Sequence, residues 1–216
     1  MALQTHRIIL RTPIPEDDET LVSLYTNAET MRHLPTLHNQ PWDAPRMAAR
    51  REARAHDELL GRARNFTVLL RSRGGGEPRV IGQAGYRTIW GDETPKRGEL
   101  GVILTQAQQG RGLAWDVHLL LLTLGFEELG LEVVEWMTGV ENQGMRAVLQ
   151  KMGCKDSEVL EEDQDGDPQS ALWRKEAVKY TLHKDDWADC KRWLCEKVDR
   201  YSAGSRGGLG HQHHNK

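Results

Sequence analysis

The sequence predicts a mixed α/β (α+β) domain, and three features of the chain support that expectation. Strand-like and helix-like segments alternate along the 216 residues, as they do in a sheet with flanking helices. This length suits one domain with a sizeable core. The sequence contains no run of about 18 apolar residues, which excludes a transmembrane helix from the predicted elements.

Composition and charge exclude several classes of protein. The net charge is −3, so a general electrostatic attraction to nucleic acid is not expected. Cys154, Cys190 and Cys195 are odd in number and lack CxxC spacing, which argues against a disulfide framework or a zinc site. No secretory signal is visible at the N-terminus. We therefore expect a cytoplasmic monomer or homodimer that uses no metal and associates with neither membrane nor nucleic acid.

The first elements are a strand and a helix. Arg7–Arg11 has strand character and ends before Pro13, and Asp17 or Asp18 supplies the N-cap of the first helix. Apolar residues then recur at helical spacing, which predicts one continuous helix through Leu21, Leu24, Ala28 and Met31.

The second predicted helix is rich in arginine. It begins at Asp43, has Pro45 in its first turn and ends at Gly61. Such a run of charge is typical of a solvated helix face, and a rim that steers a substrate is the alternative. The arginines in and just after this helix are Arg46, Arg50, Arg51, Arg54, Arg62 and Arg64.

After this helix the apolar residues change to the period of two that a strand requires. Residues 66–70 alternate, residues 73–78 form a glycine-rich turn, and residues 80–90 continue as a longer strand, so a hairpin is expected. A further strand covers residues 99–104. Gly101 within it suggests a bulge or the close approach of another backbone.

The second half of the chain continues the alternation. Residues 203–216 are rich in Gly and His and carry no apolar period, so we expect a disordered tail behind a single domain of residues 1–202. The remaining predicted elements are a helix after Gly112, a strand over 133–138, a helix from Glu141 to Gly153, an acidic loop over 158–167, a strand over 171–182 and a helix over 186–201.

The most informative segment is Gln-Gly-Arg-Gly-Leu-Ala at residues 109–114, between a strand and a helix. The first turn of a helix presents free N–H groups to an anion, and Gly110 and Gly112 let a phosphate approach the backbone. The Gly-Lys-Ser/Thr of a Walker loop is absent, and Trp115 replaces the third glycine of a dinucleotide fingerprint. A pyrophosphate cradle with Arg111 as an optional partner remains, against the alternative of a plain strand-to-helix connection.

The residues in and around this segment resemble the GNAT acetyltransferases. Gln109, Gly112 and Ala114 match the spacing of that family's acetyl-CoA loop. The likeness extends over about residues 5–187, and the chain is identified as a member of the branch that includes the ribosomal-protein N-terminal acetyltransferases. The other matching segments are Leu10–Pro13 with Glu16-Asp17, Gly82–Gly85, Gly98–Leu104, Glu141-Asn142 and Val148–Gly153.

The resemblance implies a fold and a cofactor site. The GNAT fold has a mixed, mostly antiparallel central sheet, flanked by helices and splayed between its fourth and fifth strands, here residues 99–104 and 133–138. Acetyl-CoA would enter the splay as the acetyl donor, and Asn142 would hydrogen-bond its pantetheine arm, a role compatible with capping a helix. The cofactor-binding residues implied are Val102, Ile103, Leu104, Gln109, Gly110, Arg111, Gly112, Leu113, Ala114 and Asn142.

The resemblance also implies a reaction, the direct transfer of an acetyl group to a primary amine of a peptide N-terminus or a small molecule. N–H groups of residues 102–104 would stabilise the oxyanion. Glu99 is the candidate base and with Asn142 makes up the expected catalytic pair, while a structural hydrogen-bonding role for Glu99 is the alternative. In an ideal strand Glu99 shares a face with Ile103, and a bulge at Gly101 would turn it to the other face.

The general acid has no counterpart in this sequence. Members of the family commonly place a Tyr near Leu149 or a Ser near Met145, and both hydroxyl groups are absent here. A thiol with a pKa of about 8.5 is a fair leaving group, so transfer does not depend on these hydroxyl groups. A non-catalytic acyl-CoA-binding or interaction module on the same fold is the alternative from another class.

Overall fold

Eight strands form one mixed sheet in the structure, a computed structural model that describes residues 2–72, 74–92, 94–160 and 177–203. The strands are β1 (Ala2–Gln4), β2 (Ile8–Arg11), β3 (Arg64–Leu70), β4 (Arg79–Trp90), β5 (Arg97–Leu104), β6 (Val133–Gly139), β7 (Lys155–Leu160) and β8 (Ala177–His183). The helices are α1 (Asp18–Thr26), α2 (Ala28–Met31), α3 (Pro35–His38), α4 (Ala44–Leu59), α5 (Leu113–Thr123), α6 (Gln143–Lys151) and α7 (Trp187–Ala203).

The sheet is antiparallel at every junction except one. Its order is β1-β2-β3-β4-β5-β6-β8-β7, and β5 and β6 are the parallel pair. These two strands pair at Arg97–Val133, Gly98–Val134 and Glu99–Glu135, and pairing stops there. The splay predicted between residues 99–104 and 133–138 is therefore confirmed. It separates the fifth and sixth strands because the short strand β1 precedes the predicted first strand.

Two apolar clusters cover the two faces of the sheet. The larger joins the sheet to α5, α6 and α7 and includes the fully buried Val117, Leu121, Leu149 and Leu194. The smaller lies under α1, α2 and α4. It consists of Leu21, Leu24, Tyr25, Met31 and Met47, with Ile103 of β5 packed against it. Because Val102 packs against the larger cluster, the free half of β5 borders both layers.

A carboxylate clamp holds the first helix to the sheet. Arg11 donates to both oxygens of Asp17 at 2.7 Å, and Thr67 Oγ1 donates to Asp17 Oδ2 at 2.7 Å. Desolvation acts to raise the pKa of Asp17, but the bonds from Arg11 and Thr67 outweigh it and lower that pKa. Arg11 and Asp17, which belong to the Leu-Arg and Glu-Asp motifs at the start of the chain, therefore have a structural role.

Two predicted boundaries are wrong, and two short elements were missed. The helix predicted through Met31 breaks at Asn27, whose extended backbone and side chain cap α2 by accepting from Thr30 N at 2.8 Å. Residues 158–160, expected in an acidic loop, belong to β7. That strand forms an edge of the sheet and pairs with β8. The short elements β1 and α3 were not predicted.

The other predicted elements occur close to their expected positions in the described ranges. Asp43 caps α4 by accepting from Arg46 N at 2.8 Å, and Gly61 follows the helix with a φ of 71°. All three cysteines are free. No helix in the described residues combines the length and apolarity that crossing a bilayer requires. Residues 161–167 of the predicted loop, 171–176 of the last predicted strand, and 204–216 of the predicted tail lie outside the described residues.

His118 on α5 ties the stability of the fold to pH. It is fully buried, and its Nδ1 donates to the carbonyl oxygen of Ala114 at 2.7 Å. Burial lowers the pKa of His118 to about 4, although the bond to Ala114 acts in the opposite direction. The imidazole of the folded protein is therefore neutral at pH values where an unfolded chain, with a histidine pKa of about 6.5, takes up a proton.

We expect this difference to destabilise the protein in acid. Between about pH 6.5 and 4 only the unfolded chain binds the proton, so the free energy of unfolding falls by roughly 2 kcal/mol on going from pH 7 to pH 4.5. Urea titrations over this pH interval should show that the free energy of unfolding falls by that much less in His118→Gln than in the wild type. His56→Gln, which changes an exposed histidine of α4, should follow the wild-type curve. Parallel curves for all three proteins would contradict the assignment.

Candidate active site

The glycine turn between β5 and α5 forms an open end of a helix. Gly110 and Gly112 have φ values of 70° and 69°, in the left-handed region that favours glycine. Gly112 caps α5, so the N–H groups of Leu113 and Ala114 in the first turn have no intrahelical acceptor. A Cβ on Gly110 would meet no protein atom within 4 Å. The space above this glycine is therefore open to a ligand, as a pyrophosphate cradle requires.

The turn is held from below by a buried ion pair. Arg7, just before β2, donates from Nη2 to Gly112 O at 2.9 Å and from Nη1 to Arg111 O at 3.3 Å. The same guanidinium pairs with Asp116, which is fully buried and also accepts from Thr5 Oγ1 at 2.6 Å. These contacts fix the carbonyl groups on the inner side of the turn, so the amide groups are left on the outer side. No pattern in the sequence indicates the part that Arg7 plays.

Gln109 closes the turn against the strand rather than offering its amide to a ligand. Its backbone N–H donates to Gln106 O at 3.1 Å, and its side-chain Nε2 donates to Leu104 O at 2.9 Å. Arg32 Nη2 donates to Gln109 Oε1 at 3.1 Å. Of residues 109–114, Gln109 thus positions the loop, while Arg111 is exposed at its outer surface.

An open groove continues from the turn along α7. The groove has a volume of about 530 Å³, and its lining residues are Trp115, Lys151, Trp193, Lys197, Arg200 and Tyr201. Trp115 and Trp193 meet edge to face with ring centroids 5.0 Å apart, and Lys197 lies 5.1 Å from the Trp193 ring centroid. Three cations and two indole rings suit a planar anionic group such as a nucleotide. The groove was not predicted, because its residues come from three separate helices.

Glu99 lies at the last paired position before β5 and β6 separate. It is 8% exposed, and its Oε2 accepts from Arg87 Nη2 at 2.7 Å. The bulge expected at Gly101 is absent: Gly101 pairs regularly with Gly85, and the register shift lies in β4 beside Arg87. Glu99 therefore keeps the same face as Ile103, toward α1, α2 and α4.

A second carboxylate lies beside Glu99. Glu135 is its register partner on β6 and is 7% exposed. Glu135 Oε1 lies 2.7 Å from Lys179 Nζ and 3.6 Å from Arg97 Nη1. In the described part of the chain, no group of three or more His, Cys, Asp and Glu side chains is placed to hold a metal ion. The signal for Glu135 in the sequence is a single charged residue within the apolar run Val-Val-Glu-Trp, and it was missed.

Asn142 caps α6 at the far side of the splay. Its Oδ1 accepts from Met145 N at 3.2 Å, and its Nδ2 donates to Thr138 Oγ1 at 2.9 Å. The two positions where a family hydroxyl is missing lie close by on the same helix. Leu149 is fully buried and Met145 is partly buried against the larger core cluster, so both serve packing.

The arginines of α4 do not form a solvated helix face as composition favoured. Arg46 is exposed. Arg50, Arg51 and Arg54, by contrast, line a cleft between the helix and the sheet together with Asn65. The alternative considered for this helix, a rim beside a substrate site, agrees better with that placement.

Comparison with solved structures shows which proteins share this fold. Mycobacterium smegmatis RimJ in complex with a CoA disulfide superposes with a TM-score of 0.71 at 16% identity, covering 95% of this chain and 94% of that one. RimL, described as a ribosomal L7/L12 α-N-protein acetyltransferase in complex with coenzyme A, gives 0.68 at 12% identity over 86% and 99%. A GNAT-family acetyltransferase from Bacillus anthracis gives 0.67 at 17% identity over 86% and 99%.

Sequence comparison agrees with the structural one. No curated protein matches the chain. The family model described as an acetyltransferase (GNAT) domain matches residues 7–155, a span that contains the glycine turn and both strands of the splay. The protein therefore belongs to the GNAT family and is an acetyl-CoA-dependent N-acetyltransferase.

Proposed function

We propose that this enzyme transfers the acetyl group directly to a primary amine and that the α-amino group of a peptide is preferred to lysine. The observation that carries the proposal is the open edge of β5, which ends in the glycine turn. A cleft lies over β3 and β4 on the α4 face of the sheet, so a donor and an acceptor would have separate approaches to this edge. Small-molecule amines of similar pKa are included in the same class.

The residues suited to coenzyme A follow the splay. The amides of residues 110–114 would bind the pyrophosphate, with Arg111 at the rim, and the groove beside Trp115 would take the nucleotide. The backbone of residues 102–104, which has no strand partner on the β6 side, would pair with the pantetheine arm and donate to the oxyanion. Asn142 Nδ2 would contact that arm from the opposite strand.

The choice of amine follows from the cost of deprotonation. At pH 7 a lysine amine with a pKa of about 10.4 costs roughly 4.6 kcal/mol to deprotonate, and an α-amino group with a pKa of about 7.7 costs roughly 1 kcal/mol. The hydroxyl groups missing at Met145 and Leu149 would protonate the leaving thiolate and would not lower this cost, which therefore falls on the base alone. A low-pKa amine is therefore the acceptor that this site suits.

Glu99 is the base that we propose for the reaction. Its carboxylate lies at the vertex of the splay on the same face as the cleft. Acting through water, it would take the proton that the amine loses as the new C–N bond forms and the C–S bond breaks. The hydrogen bond from Arg87 Nη2 orients the carboxylate. Acetyl-CoA supplies the acetyl group as a thioester, whose thiolate leaves.

The cofactor site is tested by adding a side chain where the turn is open. Gly110→Val should weaken coenzyme A binding at least tenfold, or about 1.4 kcal/mol, because the valine blocks approach to the amides. Gly75→Val is the matched control, since Gly75 has a φ of 77° and equally open surroundings and so carries the same backbone strain. Calorimetric titration that gives equal affinities for the two folded variants would contradict the assignment.

The acceptor is tested by thiol release from acetyl-CoA over a panel of amines at pH 7. Peptides with a free N-terminus should react faster than peptides with a blocked N-terminus and an internal lysine, and faster than polyamines. Release without amine sets the background rate of hydrolysis. Faster acetylation of lysine or polyamines would overturn the preference that we propose.

The base is tested by Glu99→Gln, with Glu135→Gln as a control at the same level of the sheet. We expect kcat to fall by about 100-fold or more in the first variant, with little change in KM for acetyl-CoA. The loss should shrink as pH rises, because more of the amine is then neutral. Glu135→Gln should retain most of its activity. If Glu99→Gln lowers only the melting temperature and leaves the pH–rate profile unaltered, Glu99 is structural.

A further inference from the structure

A cleft beside the proposed reaction site has a strongly basic wall. It lies between α4 and the faces of β3 and β4 and has a cavity volume of about 30 Å³. The charged side chains lining it are Arg50, Arg51, Arg54 and Glu58. Asn65 and Gln83 of the sheet also line it, and Leu21 and Met47 add apolar surface.

Arg50 is the cation of this wall whose charge is not compensated. Its guanidinium lies 5.5 Å from the ring centroid of Tyr25 and 5.7 Å from that of Trp42. Within the described ranges it makes no ion pair, and its buried Nε has no hydrogen-bond acceptor. A buried donor without an acceptor costs free energy. The two rings thus hold in place a guanidinium that lacks an anion.

Asn65 presents a second donor of the same kind. Its buried side-chain Nδ2 has no acceptor in the described part of the protein. Its backbone N–H, by contrast, donates to Glu58 Oε1. Glu58 is the one carboxylate among the residues that line the cleft, and this bond already occupies it. Arg50 of α4 and Asn65 of β3, each with an unsatisfied nitrogen donor, therefore line the same cleft.

The two other arginines of the wall differ in how far they are neutralised. Arg51 donates from Nε and Nη2 to Asp18, with the shortest distances at 3.1 Å, and is thereby compensated. Arg54 donates to Arg87 O at 2.9 Å and has an acidic neighbour, Asp57, only at 3.9 Å. Burial, followed by the charge of Arg50, lowers the pKa of Arg54. An anion between Arg50 and Arg54 would relieve this repulsion.

The position of the cleft relates it to the reaction site. Asn65 pairs with Gly85, and Gly85 pairs with Gly101 on the free half of β5. Two strand spacings of about 4.8 Å place the backbone of Asn65 about 10 Å from the free half of β5. Gln83, in the floor of the cleft, is the register partner of Ile103. An acceptor whose amine lies at the splay and which extends across the sheet would thus reach the cleft with its other end.

We propose that Arg50, Arg54 and Asn65 bind a carboxylate of the acceptor and select amines that carry one within about 10 Å of the reacting nitrogen. The planar guanidinium matches a carboxylate, and bonds of this charged kind are among the strongest in proteins. In a peptide, this span corresponds to an acidic side chain at the second or third residue, at about 3.3–3.6 Å per residue. The inference rests on the proposed function.

Binding of unreactive product analogues tests the site without depending on catalysis. The probes are acetyl-Ser-Glu-Gly-amide and acetyl-Ser-Gln-Gly-amide, titrated calorimetrically into the full-length protein with and without coenzyme A. We expect the Glu peptide to bind at least tenfold more tightly than the Gln peptide. N-acetyl-6-aminohexanoate and its amide form a second pair, which distinguishes a small carboxylate ligand from a peptide.

Variants of α4 assign the effect to individual side chains. Arg50→Gln and Arg54→Gln should each reduce the preference for the carboxylate to within about threefold. If one of the two variants misfolds, the other still tests the proposal. Arg46→Gln, on an exposed part of the same helix, should keep the full preference for the carboxylate. Equal affinity for charged and neutral probes in the wild type, or an unchanged preference in both folded cleft variants, would overturn the proposal.

Kinetics separate this inference from the proposed function. If Ser-Glu-Gly-amide and Ser-Gln-Gly-amide are acetylated with equal kcat/KM and their acetylated forms bind equally, acetyl transfer stands and the carboxylate site does not. If no amine is acetylated but the Glu probe binds with dependence on Arg50 and Arg54, the proposed function fails and the carboxylate site stands.

Discussion

Three residue pairs between β5 and β6 are the constraint on which the rest of the molecule depends. They are the junction between β1–β5 and the β6–β8 part of the sheet, and beyond them the strands are free to separate. The last pair sets two buried carboxylates, Glu99 and Glu135, side by side, an arrangement that like charges oppose. Arg87, Arg97 and Lys179 compensate them, so the vertex of the splay is stabilised by cations rather than by apolar packing.

The division of the core follows from this vertex. Below the sheet, the larger cluster fixes α5 and with it the glycine turn, while the smaller cluster fixes α1, α2 and α4 above it. The free half of β5 is shared by both, since Val102 packs downward and Ile103 upward. A donor bound along this edge and an acceptor reaching it from the α4 face would therefore approach from opposite layers, without crossing either core.

The sequence predicted the parts of the site that local conformation determines. Gly110 and Gly112 have the positive φ values that such a turn needs, and Asn142 is the N-cap residue of α6. Parts that depend on distant contacts were wrong or missed. The register shift lies in β4 beside Arg87 rather than at Gly101, and Arg50 faces a cleft rather than solvent. Neither is readable from spacing, because a bulge depends on the partner strand and a helix face on what packs against it.

The anchoring of the glycine turn determines when it can form during folding. Arg7 and Thr5 hold it through Asp116, and Tyr201 of α7 lies against Gly112, with its ring 5.1 Å from the Arg7 guanidinium. These contacts join residues from almost opposite ends of the sequence, and closing such long segments carries the largest entropic cost. The geometry of a turn in the middle of the sequence therefore depends on residues near both ends of the domain, so a truncation at either end would remove a contact that holds it.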